Sequence, residues 1–164
     1  MSDNSRFYSF VANLYLSPIQ CGIQTAHAVS EMSVKYHPNT SMAGDAYFDW
    51  AREDKTIVIL AATNHAGVLA AHEQLKVFAE KFELPVTIFH EDEQSMNGMA
   101  TACGIVVPDR FYKVELTKPD YRNTSHDALT GYWTYTADDG STKTYYLDSE
   151  EGQFVSFLKS FRLA

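Results

Sequence analysis

Short apolar runs alternate with helical patterns over the first two thirds of the chain. Four runs rich in aliphatic and aromatic residues predict strands at residues 7–16, 55–62, 86–90 and 101–107. Helical spacing between the first three runs predicts helices at about residues 18–36, 45–52 and 65–82. The helix predicted at residues 65–82 has the most regular apolar stripe, made of Val68, Ala71, His72, Leu75, Phe78, Ala79 and Phe82. Strands separated by helices favour parallel pairing.

The pattern changes after Pro108. Residues 132–136 and 142–147 alternate around the turn Ala-Asp-Asp-Gly, which predicts a β-hairpin. Asp148 and Glu151 have the spacing of a capping box ahead of a short last helix. The apolar face of that helix is predicted to be Phe154, Phe157, Leu158 and Phe161.

These elements predict an α/β fold. We expect a three-layer sandwich with a four-stranded, mostly parallel sheet and an inserted β-hairpin. The length suits a single domain, 1–164, in which residues 111–147 form the hairpin insertion.

Two polar residues fall close to the predicted buried face of the first helix. Ser17 is a good N-cap and forms an S-x-x-Q capping box with Gln20. The stripe that we expect to face the sheet consists of Ile19, Ile23, Ala26, His27 and Ser30. Gln24 lies beside this stripe. Buried amides and imidazoles need hydrogen-bond partners, so Gln24 and His27 are either satisfied core residues or parts of a functional site.

The charge balance narrows the classes of ligand. The chain has 13 Lys and Arg against 21 Asp and Glu, a formal net charge of −8. This composition disfavours a broad nucleic-acid surface such as tRNA needs, but it leaves room for a small phosphate site built from backbone N–H groups. Cys21 and Cys103 show no metal-ligand spacing and are expected to be buried free thiols. We see no signal peptide and no apolar run long enough to span a membrane, so we expect a cytoplasmic protein. The sequence shows no recognised metal-ligand spacing, and we expect neither a metal nor a cofactor.

Ligands of open α/β sheets bind where strands end and helices begin. The residues predicted to meet at this edge as ligand-binding residues are Asn13, Ser17, Gln20, Asn64, His65, His90, Glu91 and Thr101. Helices begin at Ser17 and Asn64, so both N-termini offer N–H groups to an anion; the alternative is that these residues are only caps. Residues 91–93 are either part of the site or a solvated acidic loop. Amides and histidines around helix N-termini favour a small nucleotide-type ligand.

Three features resemble the type 2 peptidyl-tRNA hydrolase superfamily. The first is a strand leading into a helix with the motif Gln24-Thr25-Ala26-His27-Ala28, and the second is the order of elements over residues 55–107. The third is the acidic pair Glu91-Asp92 followed by Thr101-Ala102. The resemblance covers about residues 7–108 and the last helix, as in a divergent member. It implies the superfamily fold and, if the chain is a hydrolase, catalytic roles for Gln24, His27 and Asp92.

Two departures from the family pattern bear on activity. The family enzymes carry a lysine four residues before the motif glutamine, where this chain has Gln20. The loop at 90–95 also lacks the family's Asp-Ala-Gly-x-Thr sequence. Ester hydrolysis needs a base or activated water and a group that stabilises the oxyanion, and Gln20 supplies no charge. The loop and the Thr101-Ala102 arrangement look more like the uncharacterised relatives in this superfamily than like its true hydrolases. Similar small acidic members are associated with tailed phages, where sequestering a host nucleotide signal would be a use for such a site.

We therefore expect a protein that binds and sequesters a nucleotide-type ligand without hydrolysing it. The alternative is a divergent peptidyl-tRNA hydrolase. A third hypothesis is an interaction module or homodimer formed through the aromatic side chains of the hairpin, Tyr132, Trp133, Tyr135, Tyr145 and Tyr146.

Overall fold

The computed structural model describes residues 4–164 and has an α/β fold with two sheets. It divides into two units. Unit 1 contains the residues up to Val107 together with Phe161–Ala164, and unit 2 is Pro108–Ser160. The chain therefore leaves unit 1 once and returns to it for its last four residues.

Unit 1 is built on a four-stranded mixed sheet. Its strands are β1 (Ser5–Val11), β2 (Thr56–Ala61), β3 (Val86–His90) and β4 (Ala100–Pro108), in the order β2-β1-β4-β3. Strands β1 and β2 are parallel, whereas β3 and β4 are antiparallel. The prediction of a mostly parallel sheet is therefore wrong. Residues 91–99 connect β3 to β4 with a single helical turn, which is too short for the crossover that a parallel pair needs.

The helices of unit 1 follow the predicted order. They are α1 (Pro18–Lys35), α2 (Met42–Asp49), α3 (His65–Phe82) and the one-turn α4 (Glu93–Met96), with a π-helical turn at Trp50–Asp54. Five residues of the stripe predicted for α3 are buried, namely Val68, Ala71, Leu75, Phe78 and Ala79, and the other two, His72 and Phe82, are half-buried. No helix within residues 4–164 combines the length and apolar character needed to cross a bilayer.

The buried face of α1 differs from the predicted stripe. Its buried residues are Cys21, Gln24, Thr25, Ala28 and Met32. Ile19 is 77% exposed and Ile23 is 47% exposed, so the helix is rotated by about one position relative to the expectation. Buried Thr25 pairs with buried Ser9 of β1, and their hydroxyl oxygens are 2.8 Å apart. This hydrogen-bonded pair allows Thr25 to face the sheet, while the larger apolar residue Ile23 lies outside the core.

Strand β1 is shorter than predicted. It ends at Val11, because Asn13 N–H turns back to the Val11 carbonyl and Leu14 N–H donates to the Thr63 carbonyl. Leu14 and Tyr15 lie in the following loop and are exposed, although their apolar character extends the predicted strand to residue 16.

One apolar cluster lies between the sheet and α1. It consists of Phe7, Val11, Cys21, Ala28, Met32, Tyr47, Trp50, Ala102 and Val106. Gly104 of β4 lies against the far end of the Phe7 ring, where a Cβ would come within 2.3 Å of a ring carbon. Its neighbour Cys103 is fully buried, and its thiol lies 3.6 Å from the Val68 carbonyl of α3. Both cysteines are free and buried, as predicted.

The last residues of the chain pair with the outer strand of this sheet. Ala61 N–H donates to the Arg162 carbonyl and Ala164 N–H donates to the Ile59 carbonyl. Leu163 forms an antiparallel bridge with Leu60. The tail therefore covers part of the free edge of β2.

Unit 2 contains a three-stranded sheet and short helices. Its elements are α5 (Asp109–Tyr112), β5 (Val114–Thr117), α6 (His126–Thr130), β6 (Tyr132–Thr136), β7 (Thr142–Tyr146) and α7 (Glu150–Lys159). The β6–β7 pairing confirms the predicted hairpin, and β5 adds a third antiparallel strand. Two of the hairpin's aromatic residues pack inside the unit: Tyr145 is buried, and Trp133 Nε1 donates to Ser156 Oγ at 3.0 Å.

The N-cap of α7 differs from the prediction. Ser149, not Asp148, caps the helix, and its hydroxyl accepts from Gly152 N–H at 3.0 Å. A Cβ on Gly152 would lie 1.9 Å from the Tyr146 carbonyl oxygen. The close approach of that carbonyl therefore requires glycine at the third helical position.

Candidate functional site

The edge of the unit 1 sheet at which β1, β2 and β3 end also holds the start of β4. Ala12 N–H donates to the Thr101 carbonyl at 2.9 Å, and Glu91 N–H donates to the Met99 carbonyl at 2.9 Å. These bonds bring the residues that follow β1 and β3 to either side of the first residues of β4. The predicted edge thus forms, although β4 enters it by its beginning and not by its end.

A β-bulge at this edge turns Thr101 towards α1. Phe89 is opposite Ala102 but His90 is opposite Ala100, so Thr101 is the extra residue. Neighbouring residues of a regular strand point to opposite faces, and Ala102 belongs to the cluster beneath α1. The bulge breaks this alternation, so the Thr101 side chain can also reach the α1 side. Thr101 is buried, and its hydroxyl donates to Gln24 Oε1 at 2.8 Å.

Gln24 is the centre of a polar network that we name the Gln24 network: Gln24, His27, Glu91 and Thr101. Gln24 is only 6% exposed. Its Nε2 donates to Glu91 Oε1 at 2.6 Å, and its Oε1 lies 3.3 Å from His27 Nδ1. The His27 ring is half-buried and packs against Phe89, with ring centroids 4.6 Å apart. Three separate segments of the chain therefore meet on one buried amide.

The network holds Glu91 and not Asp92. The Asp92 side chain is exposed and caps α4 by accepting from Ser95 N–H at 2.6 Å. Hydrogen bonds from the Ser95 side chain and backbone hold the pKa of Asp92 below its ordinary value. The carboxylate in contact with Gln24 is the half-buried Glu91.

His65 adds a second fixed imidazole to this edge. Ala100 N–H, at the start of β4, donates to His65 Nδ1 at 2.8 Å. His65 is the first residue of α3, and it is placed there because Asn64 caps the helix through Gly67 N–H at 2.9 Å. A Cβ on Gly67 would lie 1.8 Å from the Ala62 carbonyl oxygen, so glycine is required at this turn.

The helix N-termini have fewer N–H groups available than the sequence suggested. In α1 the capping box is complete: Ser17 N–H donates to Gln20 Oε1 at 2.8 Å, and Gln20 N–H donates to Ser17 Oγ at 3.3 Å. Pro18 has no N–H. Ser17 and Gln20 therefore satisfy each other at an exposed position, outside the Gln24 network.

The remaining predicted residues lie around the edge without joining the network. His90 is exposed, and its Nδ1 is 3.1 Å from the Gly98 carbonyl oxygen. Asn13 is half-buried in the turn after β1. Within residues 4–164, no three His, Cys, Asp or Glu side chains form a group able to hold a metal ion, and this includes His90, Glu91 and Asp92.

Phe89 is a member of the site that the sequence did not single out. As an aromatic residue near the end of a strand it has the same pattern as a core residue, so only its contact with His27 identifies it. A surface pocket of about 340 Å³ lies at the other end of β3, beside Tyr36, Glu83 and Val86. None of the residues lining that pocket belongs to the Gln24 network.

No family model matches this chain, and no curated protein matches it.

Proposed function

We propose that unit 1 has the three-layer fold of the type 2 peptidyl-tRNA hydrolase superfamily and binds a small nucleotide-type ligand beside the Gln24 network. The layer arrangement is supported by two neighbouring residues of β4. Ala102 belongs to the cluster beneath α1, whereas the Cys103 thiol contacts Val68 of α3. Successive side chains of a strand point to opposite faces, so α1 and α3 cover opposite sides of the sheet.

The observation that carries the proposal is the Gln24 network itself. A buried amide from the motif helix is held by a threonine from β4 and in turn holds a carboxylate at the sheet edge. Polar groups fixed in this way need no reorganisation on binding, which favours recognition of a ligand with several hydrogen-bonding groups. The network contains no lysine or arginine, so it suits a base better than a phosphate.

Binding without turnover is favoured by the state of Gln20. This residue occupies the position of the family's lysine, and both its side-chain oxygen and its backbone N–H are used in the capping box. Its side-chain nitrogen can still donate a hydrogen bond, but a neutral amide does not supply the positive charge that a lysine would bring to a developing oxyanion. We therefore propose that the ligand is held unchanged, as a sequestering protein would hold it.

Native mass spectrometry of the purified protein with a panel of linear and cyclic nucleotides tests this proposal. We expect a bound nucleotide whose mass is unchanged after prolonged incubation. Gln24→Ala should weaken binding because it releases Glu91, whereas Gln20→Ala should leave it nearly unchanged. Conversion of the nucleotide, or no binding by any member of the panel, would contradict the proposal.

The hydrogen bond between Gln24 and Glu91 also favours a second candidate, a divergent peptidyl-tRNA hydrolase. A carboxylate oriented by a buried amide can position a water molecule for attack on an ester. In this version Glu91 replaces Asp92 as the acidic residue, because Asp92 is engaged in capping α4. Cleavage of peptidyl-tRNA that is lost in Glu91→Gln but kept in Asp92→Asn would favour the hydrolase over the binding protein.

A further inference from the structure

The hydrogen-bond roles of the atoms in the Gln24 network follow from its contacts. An ionised carboxylate can only accept hydrogen bonds, so the Gln24 atom that faces Glu91 Oε1 is the amide nitrogen. The other end of the amide is its oxygen, which accepts from the Thr101 hydroxyl at 2.8 Å. This oxygen also lies 3.3 Å from His27 Nδ1, and a hydrogen bond between them requires the proton on Nδ1. The neutral His27 ring then has no proton on Nε2, which makes that atom an acceptor.

Two acceptor atoms of this network have no partner in the described part of the protein. His27 makes no other hydrogen bond within residues 4–164, so its Nε2 is unused. The Glu91 side chain accepts only from Gln24 within the same residues, which leaves its Oε2 unused. Both side chains are half-buried, and neither atom is fully buried. A ligand can therefore reach an acceptor on each of these two residues, whereas Gln24 and Thr101 are buried.

The accessible side-chain atoms of the Gln24 network are thus acceptors only. A phosphate or a carbonyl oxygen would place its own lone pairs against them, which costs free energy because neither side can donate. An amino group has N–H donors for the same atoms. Among the nucleobases, adenine and cytosine carry an exocyclic amine at the ring position where hypoxanthine and uracil carry a carbonyl oxygen. The network can distinguish the members of these two pairs, which otherwise have nearly the same shape.

We propose that the base recognised at this site carries an exocyclic amine, which donates to the free carboxylate oxygen of Glu91. Hydrogen bonds to an ionised acceptor are the stronger ones, so Glu91 determines the specificity and Gln24 is its positioning residue. His27 Nε2 adds a second acceptor that disfavours a carbonyl group. The inference rests on the proposed function, because it names the class of base that the same site selects.

Titration calorimetry of the unaltered protein with AMP against IMP, and with CMP against UMP, tests this inference. In each pair that binds, we expect the amino-bearing nucleotide to bind roughly 10- to 100-fold more tightly, the range for one correct contact to a base edge. Equal binding within a pair, or a preference for IMP or UMP, would overturn the inference and leave the proposed function standing. No binding of any of the four nucleotides would overturn both.

Glu91→Gln and Asp92→Asn form a matched pair of variants. Each removes one negative charge, and the asparagine introduced by Asp92→Asn can still cap α4. In Glu91→Gln the new side-chain oxygen can accept from Gln24, and its nitrogen then replaces the free carboxylate oxygen as a donor. We expect this variant to lose or reverse the preference for the amino-bearing nucleotide, and Asp92→Asn to keep it. Equal changes in the two variants would show a general charge effect and would overturn the inference.

NMR spectroscopy of the histidine ring nitrogens tests the assignment of His27 without any ligand. We expect the neutral His27 ring to carry its proton on Nδ1, and the signal is identified by its loss in His27→Gln. In Gln24→Ala, which removes the oxygen that holds this proton, the ring should shift towards the Nε2–H form. A ring that is protonated on Nε2 in the unaltered protein would place a donor at the site and overturn the inference.

Discussion

Replacing Gln24 with alanine tests whether the Gln24 network also holds unit 1 together. The substitution removes a hydrogen bond to a carboxylate, which contributes about 1.5–3 kcal/mol, and a neutral bond from Thr101, which contributes about 0.5–1.5 kcal/mol. Glu91 is half-buried, so water can hydrate its carboxylate after the substitution, and the loss of the Gln24–Glu91 hydrogen bond costs an amount near the lower end of its range. Thr101 is buried and loses its partner outright. We expect the free energy of unfolding to fall by about 2–4 kcal/mol.

Urea denaturation followed by circular dichroism measures this change, and Gln20→Ala is the matched control. Gln20 is the same residue type in the same helix, but it is exposed and contributes only a capping contact worth about 1 kcal/mol. A double-mutant cycle with Thr101→Val should show coupling of at least about 0.5 kcal/mol, because the two side chains are in direct contact. A Gln24→Ala protein as stable as the control variant would refute the idea that this amide is a structural centre.

Three further predictions concern the body of unit 1. Gly104→Ala should destabilise it by about 1–3 kcal/mol, because the new methyl overlaps the Phe7 ring. Gly22→Ala in α1 should stabilise it by about 0.5–1 kcal/mol, because no atom lies within 4 Å of the new Cβ and alanine favours a helix. Thermal unfolding measures both changes, and equal effects of the two variants would contradict the packing argument. Burial first, and the Lys76 charge second, lower the pKa of His72 from 6.5 to about 4. Between pH 6.5 and 4 the imidazole of His72 is protonated in the unfolded chain but neutral in the folded one. The free energy of unfolding should therefore be constant above pH 6.5 and decrease as the pH falls from 6.5 to 4, and the decrease should be smaller in His72→Gln. Cys21 and Cys103 are buried with raised thiol pKa values, so a chromogenic thiol reagent should titrate both in urea and neither quickly in the folded protein.

Sequence reasoning succeeded where one face of an element decides its structure. The stripe of α3 and the bounds of β3 follow from local periodicity, and the structure reproduces both. It failed for β1 and α1, where apolar character did not indicate burial. Leu14, Tyr15 and Ile19 are exposed, whereas Thr25 is buried through its hydroxyl bond to Ser9. Such a bond joins residues distant in sequence and leaves no periodic signal.

The location of the candidate site could be predicted from the sequence, but the hydrogen-bond partners within it could not. The order of elements brings the motif helix and the acidic loop to one sheet edge, as expected. Which of Glu91 and Asp92 turns inwards depends on the start of α4, and the Asp92-x-x-Ser95 cap is a readable local signal for it. The bulge that turns Thr101 towards Gln24 depends on how β3 pairs with β4, which no local pattern states.

The pairing of residues 162–164 with β2 has a consequence for how the protein is made. A ribosome synthesises β2 and all of unit 2 before it reaches the residues that cover the edge near Ile59 and Ala61. Until then the nascent chain carries an edge strand with open backbone groups, which can pair with a neighbouring chain. Stalling or proteolysis within unit 2 would therefore yield fragments prone to aggregation, and synthesis of residues 162–164 would cover this part of the edge.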